Sequence, residues 1–257
     1  MNILLLKLPR TGSTYLGTLL NSHNRIHFIN EFLNPFSNKQ RVLSHSLLST
    51  LKLDRPLRAR LPNRKCQALH SYLSSSSQHC VHGASLNPFK ERLAADDLTQ
   101  IVTDKSRVVV LVRNNLLKQC VSELSVLAEK KSGAVNPHQA YGGSSVSAKR
   151  RFVIGPQELE RIRRREQLRE RLLDLANSID RPKLYLTYED DINGSDKMPL
   201  INKLADFLQI DGNDGWKPDG LVKHESGLFR KLVSDDLEEV IENFDEVRNC
   251  PQLQPYL

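Results

Sequence analysis

Residues 2–23 read NILLLKLPRTGSTYLGTLLNSH. An apolar run, Asn2 to Leu8, stops at Pro9. A turn of small and hydroxylated residues follows, and then the apolar stretch Thr14–His23, which has helical spacing. The first part predicts a buried strand and the last a helix packed on it. The same order recurs twice. SRVVVLVR, 106–113, is rich in β-branched residues and predicts a strand, with a helix over 115–130. PKLYLTYE, 182–189, predicts a third strand, and a helix over 197–210 follows the turn at Asn193-Gly194. Strand then helix, three times over, predicts a mostly parallel sheet flanked by helices, the α/β class.

The turn between the first strand and helix has the parts of an anion cradle. Gly12 permits close backbone approach, and the first amides of the next helix point at whatever lies there. Ser13 and Thr14 add hydroxyl donors, and Arg10 adds a fork-shaped cation. The GxxxxGK[ST] spacing of a Walker loop is absent. In an open parallel sheet, ligands bind beyond the carboxyl ends of the strands. The loop after the first strand, Arg113 after the second and the YEDD stretch after the third all converge there.

Composition narrows the partners. Residues 1–90 hold 12 Lys and Arg against only Glu31 and Asp54, a net +10, and the remaining residues sum to −3. Such a bias attracts nucleotides, nucleic acid or anionic glycans and lipids. The arginines of the helix predicted over 156–178 alternate with Glu158, Glu160, Glu166 and Glu170, which blunts its field toward nucleic acid. Its apolar stripe is Leu159, Ile162, Leu168, Leu172, Leu175 and Ile179. Four scattered cysteines form no CxxC pair, so neither a metal site nor a disulfide framework is expected. No apolar run is long enough to span a bilayer, and the expected location is cytoplasmic.

Four segments resemble the sulfotransferases that use 3′-phosphoadenosine 5′-phosphosulfate (PAPS), closest to the bacterial glycolipid and nodulation-factor type. PRTGSTYLGTLL resembles their 5′-phosphosulfate loop, and VVVLVRNNLLKQCVSEL their 3′-phosphate strand and helix. LYLTYEDDINGSDKMPLINKLADFLQI is similar to their "YEDL…FL" segment, and residues 221–247 to their closing region. HFINEFLNPF, containing Glu31, resembles the stretch that carries a glutamate soon after the first helix.

The resemblance implies a single domain over 1–257 with a P-loop-like three-layer fold, in which 37–65 and 132–178 are helical and loop insertions around the acceptor site. It implies sulfuryl transfer from PAPS to a hydroxyl of a glycan, a glycolipid or another small alcohol. Arg10, Thr11, Gly12, Ser13, Thr14 and Tyr15 would hold the 5′-phosphosulfate, with Arg10 stabilising the leaving oxygen. Many members have lysine at that position. Glu31 would be the general base, followed by His27, with His23 a further competitor. Arg113 and Ser122 would bind the 3′-phosphate, although their spacing is one residue longer than in many members, so Lys118 is expected to compensate and Lys223 to help. Tyr188 and Glu189 are expected to organise the sheet edge rather than touch substrate. Basic Lys149, Arg150 and Arg151 suit a lid or acceptor wall. The implied partners are a small-molecule, carbohydrate or lipid acceptor, with no metal, nucleic acid or membrane span, and with room for a homodimer. A P-loop nucleotide kinase or ATPase, a nucleic-acid-binding module, and a homologue that binds nucleotide without catalysis stand as alternatives.

Overall fold

The computed structural model describes residues 1–33, 62–76, 80–131, 151–194, 196–210, 215–216 and 236–257. Lys149, Arg150, Lys223, most of the 37–65 insertion and residues 132–150 of the other lie outside these residues. The described residues group into two compact units, Met1–Val112 with Arg171–Lys217, and Arg113–Glu170 with Pro218–Leu257.

The first unit holds a five-stranded, all-parallel sheet. Its strands are β1 (Asn2–Lys7), β2 (Ile26–Ile29), β3 (Val81–Leu86), β4 (Ser106–Val112) and β5 (Lys183–Thr187), in spatial order β2-β3-β1-β4-β5. Every residue of β1 is buried, as suits a central strand covered on both faces. Helix α1 (Ser13–Ser22) buries Leu16, Leu19 and Leu20 completely. Among the described residues, three helices lie between β2 and β4: α2 (Pro62–Ser74), α3 (Pro88–Glu91) and α4 (Ala95–Ile101). Asn87 and Pro88 start α3, the asparagine accepting from the Lys90 amide. Beyond β5, a single π-helical turn, Tyr188–Ile192, leads to α7 (Met198–Leu208), which buries Leu200, Ile201, Leu204 and Leu208.

The three predicted strand–helix units are present, and β2 and β3 are additional. Among the described residues, β2 is a four-residue edge strand whose outer side meets a side chain rather than another strand. The Asn21 carboxamide accepts from Phe28 N–H and donates to Phe28 C=O, both at 2.7 Å. The β3 residue beside Phe28 is Gly83, where a Cβ would lie 2.5 Å from the Phe28 ring.

The second unit is built on α5 (Leu116–Lys131) and the first two-thirds of α6 (Pro156–Asn177), with α8 (Leu237–Val240), α9 (Phe244–Arg248) and a closing 3-10 turn, Gln254–Tyr256. Leu116, Leu117, Cys120, Val121, Ile162, Ile241, Val247 and Leu253 form its core. Asn243 donates to Ile154 C=O and accepts from Ile154 N–H, fixing the segment before α6. Several α6 arginines are engaged within this unit. Arg165 is buried against Glu123, Arg161 also faces Glu123, and Arg163 donates to Gln252. Arg151 donates to the C=O groups of Glu238 and Ile241 around α8. Burial pushes the Cys120 thiol up to about 11 and raises that of Cys66, so both stay protonated and unreactive at neutral pH.

Candidate functional site

The loop Leu8–Gly12 leaves the carboxyl end of β1 through two left-handed residues, Arg10 (φ 65°) and Gly12 (φ 83°). Thr11 between them is fully buried and donates to Leu8 C=O at 2.9 Å, tying the turn to the strand end. Gly12 is the N-cap of α1, where serine or aspartate would ordinarily supply a side-chain acceptor. Here no side chain caps the helix, and its first turn carries no acid. An anion would complete a helix start that has neither a side-chain cap nor a first-turn acid of its own.

Glycine is required at position 12 for two reasons. Its φ disfavours any Cβ, and a Cβ would also meet Tyr188 Cδ2 at 2.8 Å and Ile192 Cγ2 at 3.0 Å. The π turn after β5 is thus pressed against the anion loop. Two of its acids are engaged by nearby residues. Asp191 accepts from Thr187 N–H and pairs with Lys203, and Asp190 accepts from the Thr187 hydroxyl. Lys197 donates to Ile192 C=O and lies 5.0 Å over the Tyr15 ring, whose phenol is raised by burial. Tyr188 therefore packs against the loop.

Glu31 lies two residues past β2, in a left-handed conformation (φ 51°) that costs a non-glycine residue about 1–2 kcal/mol. Its N–H donates to Ser85 Oγ at 2.7 Å, at the carboxyl end of β3. Lys7, the last residue of β1 and 4% exposed, donates to Glu31 Oε1 at 2.9 Å. Lys90, on the solvent side, faces Oε2 at 3.5 Å. Each carboxylate oxygen therefore meets an ammonium, one buried and one half-exposed. Pairing of β3 beside β1 brings Ser85, Lys7, Lys90 and Glu31 together at the strand end from which the anion loop departs.

The histidines proposed as rival bases lie elsewhere. His27 pairs in register with His82, and His82 with Asn2, which puts it at the amino-terminal end of the sheet. Lys7 is five residues further along, or roughly 17 Å of strand rise. The Tyr72 hydroxyl there donates to His27 C=O at 2.8 Å and lies 3.0 Å from the His27 ring Nδ1. His23 caps the far end of α1, ten residues from its start, where Nδ1 accepts from Arg25 N–H and the ring lies edge-on to Trp216. Neither histidine is brought to the anion loop.

In the second unit, Arg113 follows β4 directly and is buried, and Asn115 caps α5 by accepting from Lys118 N–H at 2.8 Å. Lys118 and Ser122 stand one turn apart on the same face of α5.

Lys7, Ser85 and Lys90 were not legible as site residues. A signal existed for Lys90, because Asn87-Pro88 announces a helix start.

No family model and no curated protein sequence matches the chain. Among solved structures, the chain is similar to the sulfotransferase domain of the olefin synthase from Synechococcus PCC 7002. Identity is 19%, with 95% of this chain and 82% of that chain covered at a TM-score of 0.45. It is also similar to a sulfotransferase from Alicyclobacillus acidocaldarius, at 11% identity, with 99% and 93% covered and a TM-score of 0.48. Likeness of this degree carries neither family nor activity, and the α/β assignment rests on the parallel sheet itself.

Proposed function

We propose that the chain transfers a sulfuryl group from PAPS to a hydroxyl of a glycan, glycolipid or other small alcohol. The observation that carries the reading is an uncapped, glycine-opened helix start on the same strand whose last residue, Lys7, holds Glu31. The cradle suits a phosphate, since left-handed Gly12 opens α1 with no side-chain cap and the first turn of the helix carries no acid. When bound, PAPS supplies the sulfuryl group and leaves as 3′-phosphoadenosine 5′-phosphate.

The amides and hydroxyls of Thr11, Gly12, Ser13, Thr14 and Tyr15 would hold the 5′-phosphate. Arg10 stabilises negative charge on the leaving oxygen and, being always protonated, does so without giving up its proton. Glu31 takes the proton of the acceptor hydroxyl as that oxygen bonds to sulfur and the bond to the leaving phosphate oxygen breaks. Lys7 and Ser85 orient Glu31 from behind, so the acceptor hydroxyl would approach Oε2, beside Lys90. Arg113 and Ser122 are assigned to the 3′-phosphate, with Lys118 on the same helix face, and Lys223 keeps that role as a proposal from sequence. His27 is set aside as base because of its place at the opposite end of the sheet. A kinase reading is less well supported. The loop from Pro9 to Thr14 contains no lysine, Lys7 is paired with Glu31, and Asp190 and Asp191 are engaged by Thr187 and Lys203.

Calorimetry with 3′-phosphoadenosine 5′-phosphate against ATP-Mg tests the donor, and tighter binding of ATP-Mg would overturn the reading. Transfer of label from radioactive PAPS to a panel of sugars, glycolipids and alkyl alcohols tests the reaction. Glu31→Gln should abolish transfer and leave nucleotide affinity within a few-fold.

A further inference from the structure

Asn30 stands between the end of β2 and Glu31, and it packs where α1 has no side chain. A Cβ on Gly17 would lie 2.5 Å from Asn30 Nδ2 and 2.7 Å from its Cγ, so the carboxamide occupies the notch that glycine leaves. Asn30 Oδ1 is buried and has no hydrogen-bond partner among the described residues. A buried amide oxygen without a partner is unfavourable, and here it sits immediately before a residue held in the left-handed region.

We infer that Asn30 is a positioning residue, a steric wedge that sets Glu31 at a fixed reach from the amino terminus of α1. The inference rests on reading Glu31 as the base and α1 as the donor cradle. Three contacts make α1 the common reference. Gly12 opens the helix, Gly17 receives Asn30 a little over one turn later, and Asn21 holds both backbone groups of Phe28 a turn beyond that. On the other side, Ser85 fixes the Glu31 amide. A helix that presents its first amides to an anion therefore also fixes the strand end that carries the carboxylate. Truncating Asn30 frees that end toward α1 while leaving the amides of α1 in place.

The test compares Asn30→Ala and Asn30→Leu with the wild-type chain. Hydrogen exchange at the Glu31 and Phe32 amides, which donate to Ser85, reports the wedge without any acceptor. Turnover with PAPS and the first alcohol labelled in the panel reports its use. Asn30→Ala should raise exchange at both amides at least tenfold and lower kcat at least tenfold, with KM for PAPS within twofold. Asn30→Leu, which refills the notch without an amide, should restore both to within threefold. Unchanged exchange in Asn30→Ala overturns the wedge, and so does failure of Asn30→Leu to restore it, which would make the amide rather than its volume the requirement. Raised exchange with kcat within twofold overturns the catalytic part. If the wild-type chain labels no alcohol, the transfer reading fails while exchange still decides the wedge.

Discussion

Gly12→Ala should be among the most damaging single-methyl changes in the chain, and its cost can be built from two separate terms. The first is conformational. Alanine at φ 83° is in the left-handed region, which costs about 1–2 kcal/mol for a residue with a Cβ. The second is steric. Ordinary carbon contacts lie at about 3.5–4.0 Å, and the new methyl would stand 2.8 Å from Tyr188 Cδ2 and 3.0 Å from Ile192 Cγ2. Overpacking of this kind costs about 1–3 kcal/mol. The total, about 2–5 kcal/mol, is a large share of the roughly 5–15 kcal/mol that holds a typical protein together.

The two terms can be separated. Urea denaturation of wild type, Gly12→Ala, Tyr188→Ala and the double variant forms a cycle in which only the steric term is shared. Removing the Tyr188 ring should relieve most of the clash and none of the φ penalty. The double variant should therefore be about 1–2 kcal/mol more stable than the sum of the single changes predicts. Additivity within about 0.5 kcal/mol would refute the packing of the π turn on the loop. A loss below about 1 kcal/mol for Gly12→Ala alone would refute the left-handed N-cap.

Asn21→Ala removes two hydrogen bonds to Phe28 and should cost about 1–3 kcal/mol, read as a fall in urea midpoint at constant m-value. Lys7→Met should cost about 1–2 kcal/mol, since it removes a buried charged hydrogen bond to a half-exposed carboxylate. Lys90→Met, at 3.5 Å and half-exposed, should stay within about 0.5 kcal/mol in the same titration. Equal losses would mean that the two ammonium groups are equivalent. Tyr256 is pushed up to about 12, chiefly by burial and then by its hydrogen bond to Glu166. Its folded-state value is raised above the ordinary 10, so its contribution is present below pH 10 and is lost as pH climbs toward 12. Tyr256→Phe should flatten that alkaline loss, as followed by thermal unfolding between pH 9 and 12.

Strands β1, β4 and β5 were legible because each is an apolar or β-branched run that ends in a turn and is followed by a helical pattern. Strands β2 and β3 were not, because their residues answer to partners distant in sequence. Gly83 admits the Phe28 ring, Ser85 receives the Glu31 amide, and His82 stacks on Tyr72, so VHGASL lacks the look of a buried strand. The outer edge of β2 is completed by one asparagine side chain, which no strand pattern anticipates.

The same physics separates the two candidate bases. Glu31 and His27 are four residues apart, and sequence proximity to the anion loop could not rank them. In a parallel sheet every strand runs the same way, so a residue's height is set by how far it lies from its own strand's end. His27 is the second residue of β2, level with Asn2 and Ser106. Glu31 is two past its end, level with the residues that leave β1 and β3, and there it meets Lys7 and Ser85. Once the end of β2 is located at Ile29, four residues of sequence become nearly the full height of the sheet. A change that shifted β2 by two positions against β3 would move the carboxylate away from Lys7 without altering a single residue of the anion loop. The Asn21 clamp on Phe28 and the Asn30 wedge on Gly17 are the contacts that oppose such a shift, and both come from α1.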